Sequence, residues 1–120
     1  MENIKEKFSK VINSPLFIAA LFAFLLFIRL VYLNADPSPI KRLDISDEGF
    51  WCHNARNVTL FGKWMIDDLN MPLVSAPIFS FLLGISFKLF GVGFAQARLV
   101  SALAGWLTLL VVFILLKRHY

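Results

Sequence analysis

Two long runs of apolar residues dominate the pattern of the chain. The first covers residues 16–33, interrupted only by Arg29 near its far end, and the second covers residues 94–116. A helix of about 20 apolar residues crosses the ~30 Å hydrocarbon layer of a bilayer. The pattern therefore predicts transmembrane helices over 16–33 and 94–116, joined by a loop over 34–93.

The first run has the ends expected of an uncleaved membrane helix. Ser14 suits an N-cap and Pro15 the first helical position. The stem of Arg29 can reach the headgroups, and Tyr32 suits the aromatic belt at the interface. A cleaved signal peptide is the alternative, but Arg29 and Tyr32 stand where its small residues would be.

The loop contains a first helical pattern over residues 47–61. Its aromatic and apolar residues fall near one side of the helix, and three polar residues, His53, Arg56 and Asn57, fall on the other. Gly62 is a natural end. An aromatic face opposite a polar face is typical of a helix that lies in the membrane surface. The apolar and aromatic residues are Phe50, Trp51, Ala55, Val58 and Phe61.

A second helical pattern covers residues 77–90, with a proline at its start and Gly91 as its stop. It is nearly all apolar, so a third membrane span is an alternative. Its apolar stretch is short for crossing, and a third span would place Lys117 and Arg118 on the outer side. We therefore expect a second interfacial or half-embedded helix.

Composition and charge agree with a membrane protein. The chain is 58% hydrophobic and 17% charged, with 13 Phe and one Cys, whereas soluble proteins are about 45–50% apolar and about 25% charged. The formal net charge of +4 comes from bases beside the apolar runs. No clustered basic footprint is present, so nucleic acid is not expected as a partner.

The distribution of charge predicts an orientation. Lys and Arg precede the first run and follow the second, so the positive-inside rule places segments 1–15 and 117–120 in the cytoplasm and loop 34–93 outside. The expected fold is an all-α integral protein of the cytoplasmic membrane. Two transmembrane helices are joined by a long extracytoplasmic loop with two amphipathic juxtamembrane helices.

Small residues recur every four positions near the start of the second apolar run, at Gly93, Ala97, Ser101 and Gly105. Such a stripe lets another membrane helix approach closely. We therefore expect it to contact other transmembrane helices. Small residues are also common in membrane helices generally, which leaves a chance stripe as the alternative.

The acidic pair Asp47-Glu48 is the main candidate for chemistry. A carboxylate at the membrane surface can accept a proton from an acceptor hydroxyl as a general base. The alternative is helix capping, which explains such pairs in most helices. Asp44, Asp47, Glu48 and His53 could bind a divalent metal through carboxylate oxygens and an imidazole. Their spacing matches no defined metal motif, so no cofactor is expected and a metal stays an alternative. Cys52 is expected to be a packing residue, and the glycosylation sequon at Asn57 lies mid-helix.

An ordered series of short motifs covers most of the chain and resembles the N-terminal part of polytopic GT-C membrane glycosyltransferases. The family is glycosyltransferase family 39, of the protein O-mannosyltransferase and lipid A aminoarabinose transferase type. The motifs are Asp47-Glu48-Gly49-Phe50-Trp51, Ala55-Arg56, Gly62-Lys63-Trp64, Ala76-Pro77-Ile78, Phe87-Lys88-Leu89-Phe90-Gly91 and Ala97-Arg98-Leu99-Val100-Ser101.

The resemblance implies transfer of a sugar from a polyprenyl-phosphate carrier to a hydroxyl of a protein or glycolipid, with inversion at the anomeric carbon. Asp47 would be the base and Glu48 the neighbour that orients the site. Arg56 is assigned to the lipid phosphate by its charge-assisted hydrogen bonds. Trp51 and Lys63, which stand in the matched motifs, are also assigned to substrate binding.

The chain departs from the family pattern in two respects. Ser75-Ala76-Pro77 stands where many members carry a basic residue and two prolines, so no phosphate contact is assigned there. Family members are also several times longer, so this chain is expected to be the N-terminal part of an enzyme and inactive alone. The alternative is a small two-span interaction or assembly subunit without catalysis.

Overall fold

The computed structural model describes residues 3, 6–7, 10–11, 13–35 and 47–119, with only the backbone at Asp47. Over these residues the chain is helical and contains no strand, which confirms the all-α expectation. The predicted exit from the first helix at Pro37-Ser38-Pro39 lies outside the described residues. The helices are α1 Pro15–Val31, α2 Asp47–Phe61, α3 Met71–Ser75, α4 Pro77–Phe90 and α5 Phe94–His119.

Local signals fix the ends of these helices. The Ser14 hydroxyl accepts a hydrogen bond from the backbone N–H of Phe17 at 3.1 Å, and Pro15 takes the first helical position. Gly62 and Gly91 follow α2 and α4 with φ of +72° and +87°. Positive φ is strained for residues with a Cβ, so glycine ends both helices where the sequence predicts.

One helix in the described part of the chain, α5, is long and apolar enough to cross a membrane. Helices α1 and α4 are apolar but shorter. The helix that contains the predicted span 94–116 continues through Lys117 and Arg118 to His119. Basic residues in the last turn favour this extension, since they complement the partial negative charge there.

Helix α1 packs along α5 through aromatic residues. The indole N–H of Trp106 donates to the backbone carbonyl of Phe22 at 2.9 Å. The Phe22 ring also meets the rings of Trp106 and Phe113 edge-on, with centroids 6.4 and 5.3 Å apart. Edge-to-face pairs of this kind stabilise beyond their buried area, so these contacts hold the two apolar helices together.

The core lies where α2, α4 and the start of α5 meet. Its buried members come from all three helices, and partly buried residues surround them. Gly84 of α4 faces the Trp64 ring, and a Cβ at this glycine would lie 2.9 Å from Trp64 Cη2. The buried members are Ala55, Leu83, Phe87 and Ala97, and the surrounding residues are Cys52, Trp64, Phe79 and Val100.

The polar side of α2 is only partly exposed, because Arg56 is exposed whereas two amide side chains are buried. Asn54 is 0% and Asn57 2% exposed. The Asn54 amide donates to the carbonyl oxygens of Trp64 and of the Asn70 side chain, at 2.9 and 3.0 Å. These bonds satisfy buried amide hydrogens, because the segment after Gly62 folds back over this side of the helix. Asn57 is therefore too buried to serve as a glycosylation site.

Candidate functional site

An ion pair between Glu48 and Arg98 joins the first turn of α2 to the first turns of α5. Arg98 Nε donates to Glu48 Oε1 and Arg98 Nη2 donates to Glu48 Oε2, each at 2.8 Å. A guanidinium that bonds both oxygens of a carboxylate fixes its position and orientation. Glu48 is therefore held in place, although 41% of its side chain stays exposed.

The same guanidinium also binds the end of α1. Arg98 Nη1 donates to the backbone carbonyls of Leu33 at 3.0 Å and Ala35 at 2.6 Å. Carbonyls near a helix C-terminus lack intrahelical partners, and a cation is favoured beside them. Arg98 thus joins the end of α1 to the beginnings of α2 and α5.

The ion pair sets the protonation of Glu48. Hydrogen bonds from Arg98 lower the pKa of the Glu48 carboxyl, and its positive charge adds to this effect, while partial burial acts against them. A carboxylate with a lowered pKa is a weaker proton acceptor. Glu48 is therefore suited to positioning and charge, and less suited to general base catalysis.

Asp47 begins α2, directly before Glu48. Its side chain lies outside the described part of the chain, as does Asp44. The described backbone places Asp47 at the same end of α2 as the ion pair. The role assigned to the Asp47 carboxylate stays a prediction.

Two cavities of about 180 Å³ flank Cys52 on α2. One is bordered by Trp51, Glu48 and Arg98, and the other by Arg56 and aromatic residues of α4 and α5. Both combine an apolar lining with charged side chains at the border. This combination suits an apolar ligand with an ionic group.

Cys52 itself is a poor nucleophile in this setting. Burial, with a smaller contribution from the negative charge of Glu48, raises the pKa of its thiol to about 11. The thiolate is the reactive form of cysteine, so little of it exists near neutral pH. Cys52 contacts the core, which agrees with its predicted packing role.

The three predicted substrate-binding residues are not equally close to the acidic pair. Trp51 borders the Glu48 cavity, and Arg56 borders the other cavity, about two turns further along α2. Lys63 is exposed and follows the C-terminal end of α2. A helix rises 1.5 Å per residue, so Lys63 and Glu48 lie at opposite ends of a helix about 21 Å long.

His53 pairs with Asp67, in the segment between α2 and α3, rather than with the acidic pair. Its Nε2 lies 2.9 Å from Asp67 Oδ2 and 3.0 Å from Asp67 Oδ1. Asp67 also accepts from the Leu69 backbone N–H, and the His53 bond is the larger cause of its lowered pKa. Over the described residues, no group of three His, Cys, Asp or Glu side chains is arranged to hold a metal.

The small-residue stripe of α5 meets helices of this same chain at two of its four positions. Ala97 lies in the core, and Gly105 faces the Arg29 side chain of α1. Ser101 is exposed and borders the cavity beside Glu48. Docking of a separate helix on the whole stripe stays a prediction.

Sequence reasoning missed Arg98 as the partner of Glu48. The residue stands within one of the matched motifs, in an apolar run whose next basic residue is Lys117. A charge inside a membrane segment normally pairs with another charge or with backbone carbonyls. That rule would have pointed to an acid or a helix end near Arg98.

Comparison with known proteins gives no match to a family model, a curated protein or a solved structure.

Proposed function

We propose that this chain carries the acidic pair of an inverting membrane glycosyltransferase, which moves a sugar from a polyprenyl-phosphate donor to an acceptor hydroxyl at the extracytoplasmic face. The motif order over residues 47–101 supports this assignment. The observation that carries it is the Glu48–Arg98 pair, with both bonds at 2.8 Å. The pair fixes the residue next to Asp47 at the start of the apolar α5.

The two carboxylates take different roles in the proposed reaction. Asp47 accepts the proton of the acceptor hydroxyl, and the hydroxyl oxygen attacks the anomeric carbon. The bond from that carbon to the phosphate oxygen breaks, and the lipid phosphate leaves with the electron pair. Glu48 is held ionised by Arg98 and orients this end of α2, because its lowered pKa makes it a weaker base than an ordinary glutamate.

The donor phosphate is assigned to Arg56. This side chain is exposed and borders an apolar cavity that Phe87 and Phe94 also line. A guanidinium forms charge-assisted hydrogen bonds with phosphate, and the aromatic lining suits the first part of an isoprenoid chain. Trp51 borders the cavity on the Glu48 side, where we place the acceptor. Lys63, at the far end of α2, has no role in this arrangement.

The proposed orientation has α1 and α5 both crossing the membrane, with the termini in the cytoplasm and residues 34–93 outside. Helix α5 is long enough to cross, and α1 packs along it through Trp106 and Phe22. Helix α4 is too short to cross at 14 residues, or about 21 Å. It exposes an apolar face with Ile78, Phe81 and Leu89, which suits the membrane surface.

The test uses the gene at its native locus, with Asp47→Asn compared with wild type and with Asp68→Asn. Asp68 is an exposed acid of the same loop, so it controls for loss of charge. Membranes receive polyprenyl phosphates carrying tritiated mannose or aminoarabinose, and transfer to endogenous acceptors is counted. We expect Asp47→Asn to lower transfer at least a hundredfold at unchanged protein level, since a general base contributes 10²–10⁴-fold.

A non-catalytic assembly subunit is the second candidate function. The apolar residues that α5 exposes, such as Leu107, Val111 and Ile114, favour it, because such a surface is available to other membrane helices. The same experiment separates the two candidates. Transfer at the wild-type rate in Asp47→Asn membranes would exclude Asp47 as the base and favour the assembly role.

A further inference from the structure

A groove of about 690 Å³ lies between the beginning of α1 and the end of α5. Its walls are apolar side chains of both helices, including Phe17 and Leu21, and Lys117 borders it. The rings of Phe22 and Phe113 meet at its inner end, with centroids 5.3 Å apart. Ligand cavities measure about 300–1,000 Å³, so the groove is large enough to hold a ligand.

The groove has the depth of one leaflet of a bilayer. Lys117 is 23 residues beyond Phe94 on α5, or about 34 Å at 1.5 Å per residue. This length exceeds the ~30 Å hydrocarbon layer, so Lys117 reaches the second membrane surface if α5 crosses. Phe22 is seven residues beyond Pro15 on α1, or about 11 Å. The groove therefore extends from that surface most of the way to the middle of the layer.

Positive charge surrounds the mouth of this groove. Lys117 borders it, and Arg118 follows in the last turn of α5. Lys7 and Lys10 are exposed in the segment before α1, where Glu6 is the acid among the described residues. Basic pockets between membrane helices bind anionic lipid head groups. The charge at the mouth is therefore complementary to a lipid phosphate.

An anionic lipid matches both parts of the groove better than a further membrane helix does. An apolar helix would cover the walls but give Lys117 no partner. A phospholipid supplies an acyl chain for the walls together with a phosphate at the membrane surface, where Lys117 lies. Phosphatidylcholine carries a positive charge beside its phosphate, so a lysine favours a lipid whose head group is negative overall.

We infer that the groove between α1 and α5 binds an anionic phospholipid. One acyl chain lies along Phe17, Leu21 and Phe113, and the phosphate accepts a charge-assisted hydrogen bond from Lys117 Nζ. The chain fills the groove by close packing, and the charge provides the preference for an anionic head group. The inference rests on α5 crossing a membrane and is independent of sugar transfer.

The test measures which lipid the full chain binds. The protein is purified in a nonionic detergent and mixed with equal amounts of phosphatidylglycerol and phosphatidylcholine that carry the same acyl chains. Native mass spectrometry counts the bound molecules of each lipid. We expect a preference for phosphatidylglycerol of about fivefold, the effect of one cation beside an anionic head group.

Two pairs of variants locate the bound lipid. Lys117→Gln is expected to abolish the preference, whereas Arg118→Gln, which removes a neighbouring charge outside the groove lining, should keep most of it. Leu21→Trp fills the groove and should lower phosphatidylglycerol binding at unchanged helix content by circular dichroism. Phe24→Trp, at an exposed position of α1 outside the lining, is its control.

Fluorescence quenching provides a second measurement that leaves the walls of the groove unchanged, in case Leu21→Trp fails to fold. The Trp106 ring contacts the Phe22 ring at the inner end of the groove. Brominated acyl chains held there should quench tryptophan fluorescence more strongly from phosphatidylglycerol than from phosphatidylcholine. Lys117→Gln should remove this difference, because lipids that only surround the helices do not depend on Lys117.

Three results would overturn the inference. The first is equal binding of the two lipids by the wild-type chain. The second is a loss of preference in Arg118→Gln as large as in Lys117→Gln, which would indicate diffuse attraction to the basic helix end. The third is full phosphatidylglycerol binding by folded Leu21→Trp, or equal quenching by the two brominated lipids, because the acyl chain would then lie outside the groove.

Discussion

Single side chains determine how the candidate site is held together. Arg98 combines both carboxylate oxygens of Glu48 with two backbone carbonyls after α1. Glu48 lies in α2, whereas both carbonyls lie in the segment after α1. Loss of Arg98 would therefore leave an acid and two carbonyls without this partner. Removing one member of such a network costs more than an isolated surface ion pair contributes.

The Glu48–Arg98 pair predicts a pH dependence of stability. The pKa of Glu48 is lower in the folded chain than its ordinary value of about 4.3. The pair therefore stabilises fully above that pH, and this contribution is lost as the pH falls through the folded pKa. Thermal unfolding in detergent between pH 3 and 7, followed by near-ultraviolet circular dichroism, should show this loss.

Substitutions can separate the contributions that Glu48 and Asp67, both with lowered pKa values, make to the pH dependence of stability. Glu48→Gln should reduce stability at pH 7 and flatten its dependence on pH below about 4.5. Asp67→Asn should remove a different part of the same dependence, because the Asp67 carboxylate pairs with His53. An unchanged pH profile in Glu48→Gln would contradict the assignment of the ion pair.

The rate at which the Cys52 thiol is alkylated provides a second test at the level of a single residue. With its pKa raised to about 11, the thiol should react with iodoacetamide at pH 8 about a hundredfold more slowly than an ordinary cysteine, since only the thiolate reacts. Glu48→Gln should speed the reaction, because the carboxylate charge contributes to the raised pKa. Asp68→Cys in a Cys52→Ala background is the exposed reference, and equal rates would refute the prediction.

At the scale of helices, the sequence predicts ends better than it predicts faces. Pro77, Gly62 and Gly91 act within their own turn, so the bounds of α2 and α4 follow from local signals. The burial of Asn54 depends on the backbone of Trp64 and the side chain of Asn70, 10 and 16 residues away. Helical periodicity carries no information about such partners, so the sequence does not predict that the segment after Gly62 covers this side of α2.

The packing of α4 against α2 is predicted to depend on Gly84. A side chain there meets the Trp64 ring, whose Cη2 would lie 2.9 Å from a Cβ. Gly84→Leu should therefore lower stability by about 1–3 kcal/mol, as overpacking does. Chemical denaturation followed by tryptophan fluorescence measures this change. Ile85→Leu, on the exposed side of the same helix, is the control and should change little.

At the scale of the molecule, the described chain has a small polar–apolar core and large apolar surfaces. Helices α1, α4 and α5 all expose large hydrophobic residues, far more than a soluble protein of this size tolerates. The apolar runs and the positions of the charges predict this exposed apolar surface, because both can be read directly from the order of residues in the chain. The ion pair at Glu48 and the Arg29–Gly105 contact depend on tertiary arrangement, so the sequence identifies the partner in neither case.

The proposed orientation in the membrane can be tested by labelling single cysteines, and the structure guides where those cysteines should be placed. Cys52 is half-buried with a raised pKa, so Cys52→Ala is the background. Asp68→Cys, in the exposed loop, should react with a membrane-impermeant maleimide in intact cells. Arg118→Cys should react only after lysis. The reverse pattern would contradict an extracytoplasmic loop.

The position of Arg98 in the chain also has a consequence for how the chain assembles during synthesis. Three of its partners, Glu48, Ala35 and Leu33, are 50, 63 and 65 residues earlier in the sequence, so these contacts close long loops. Long loops carry an entropic cost before their contacts form. The junction can close only after the first turns of α5 have been synthesised. The Glu48 carboxylate, although it comes 50 residues earlier in the chain, therefore gains its guanidinium partner late.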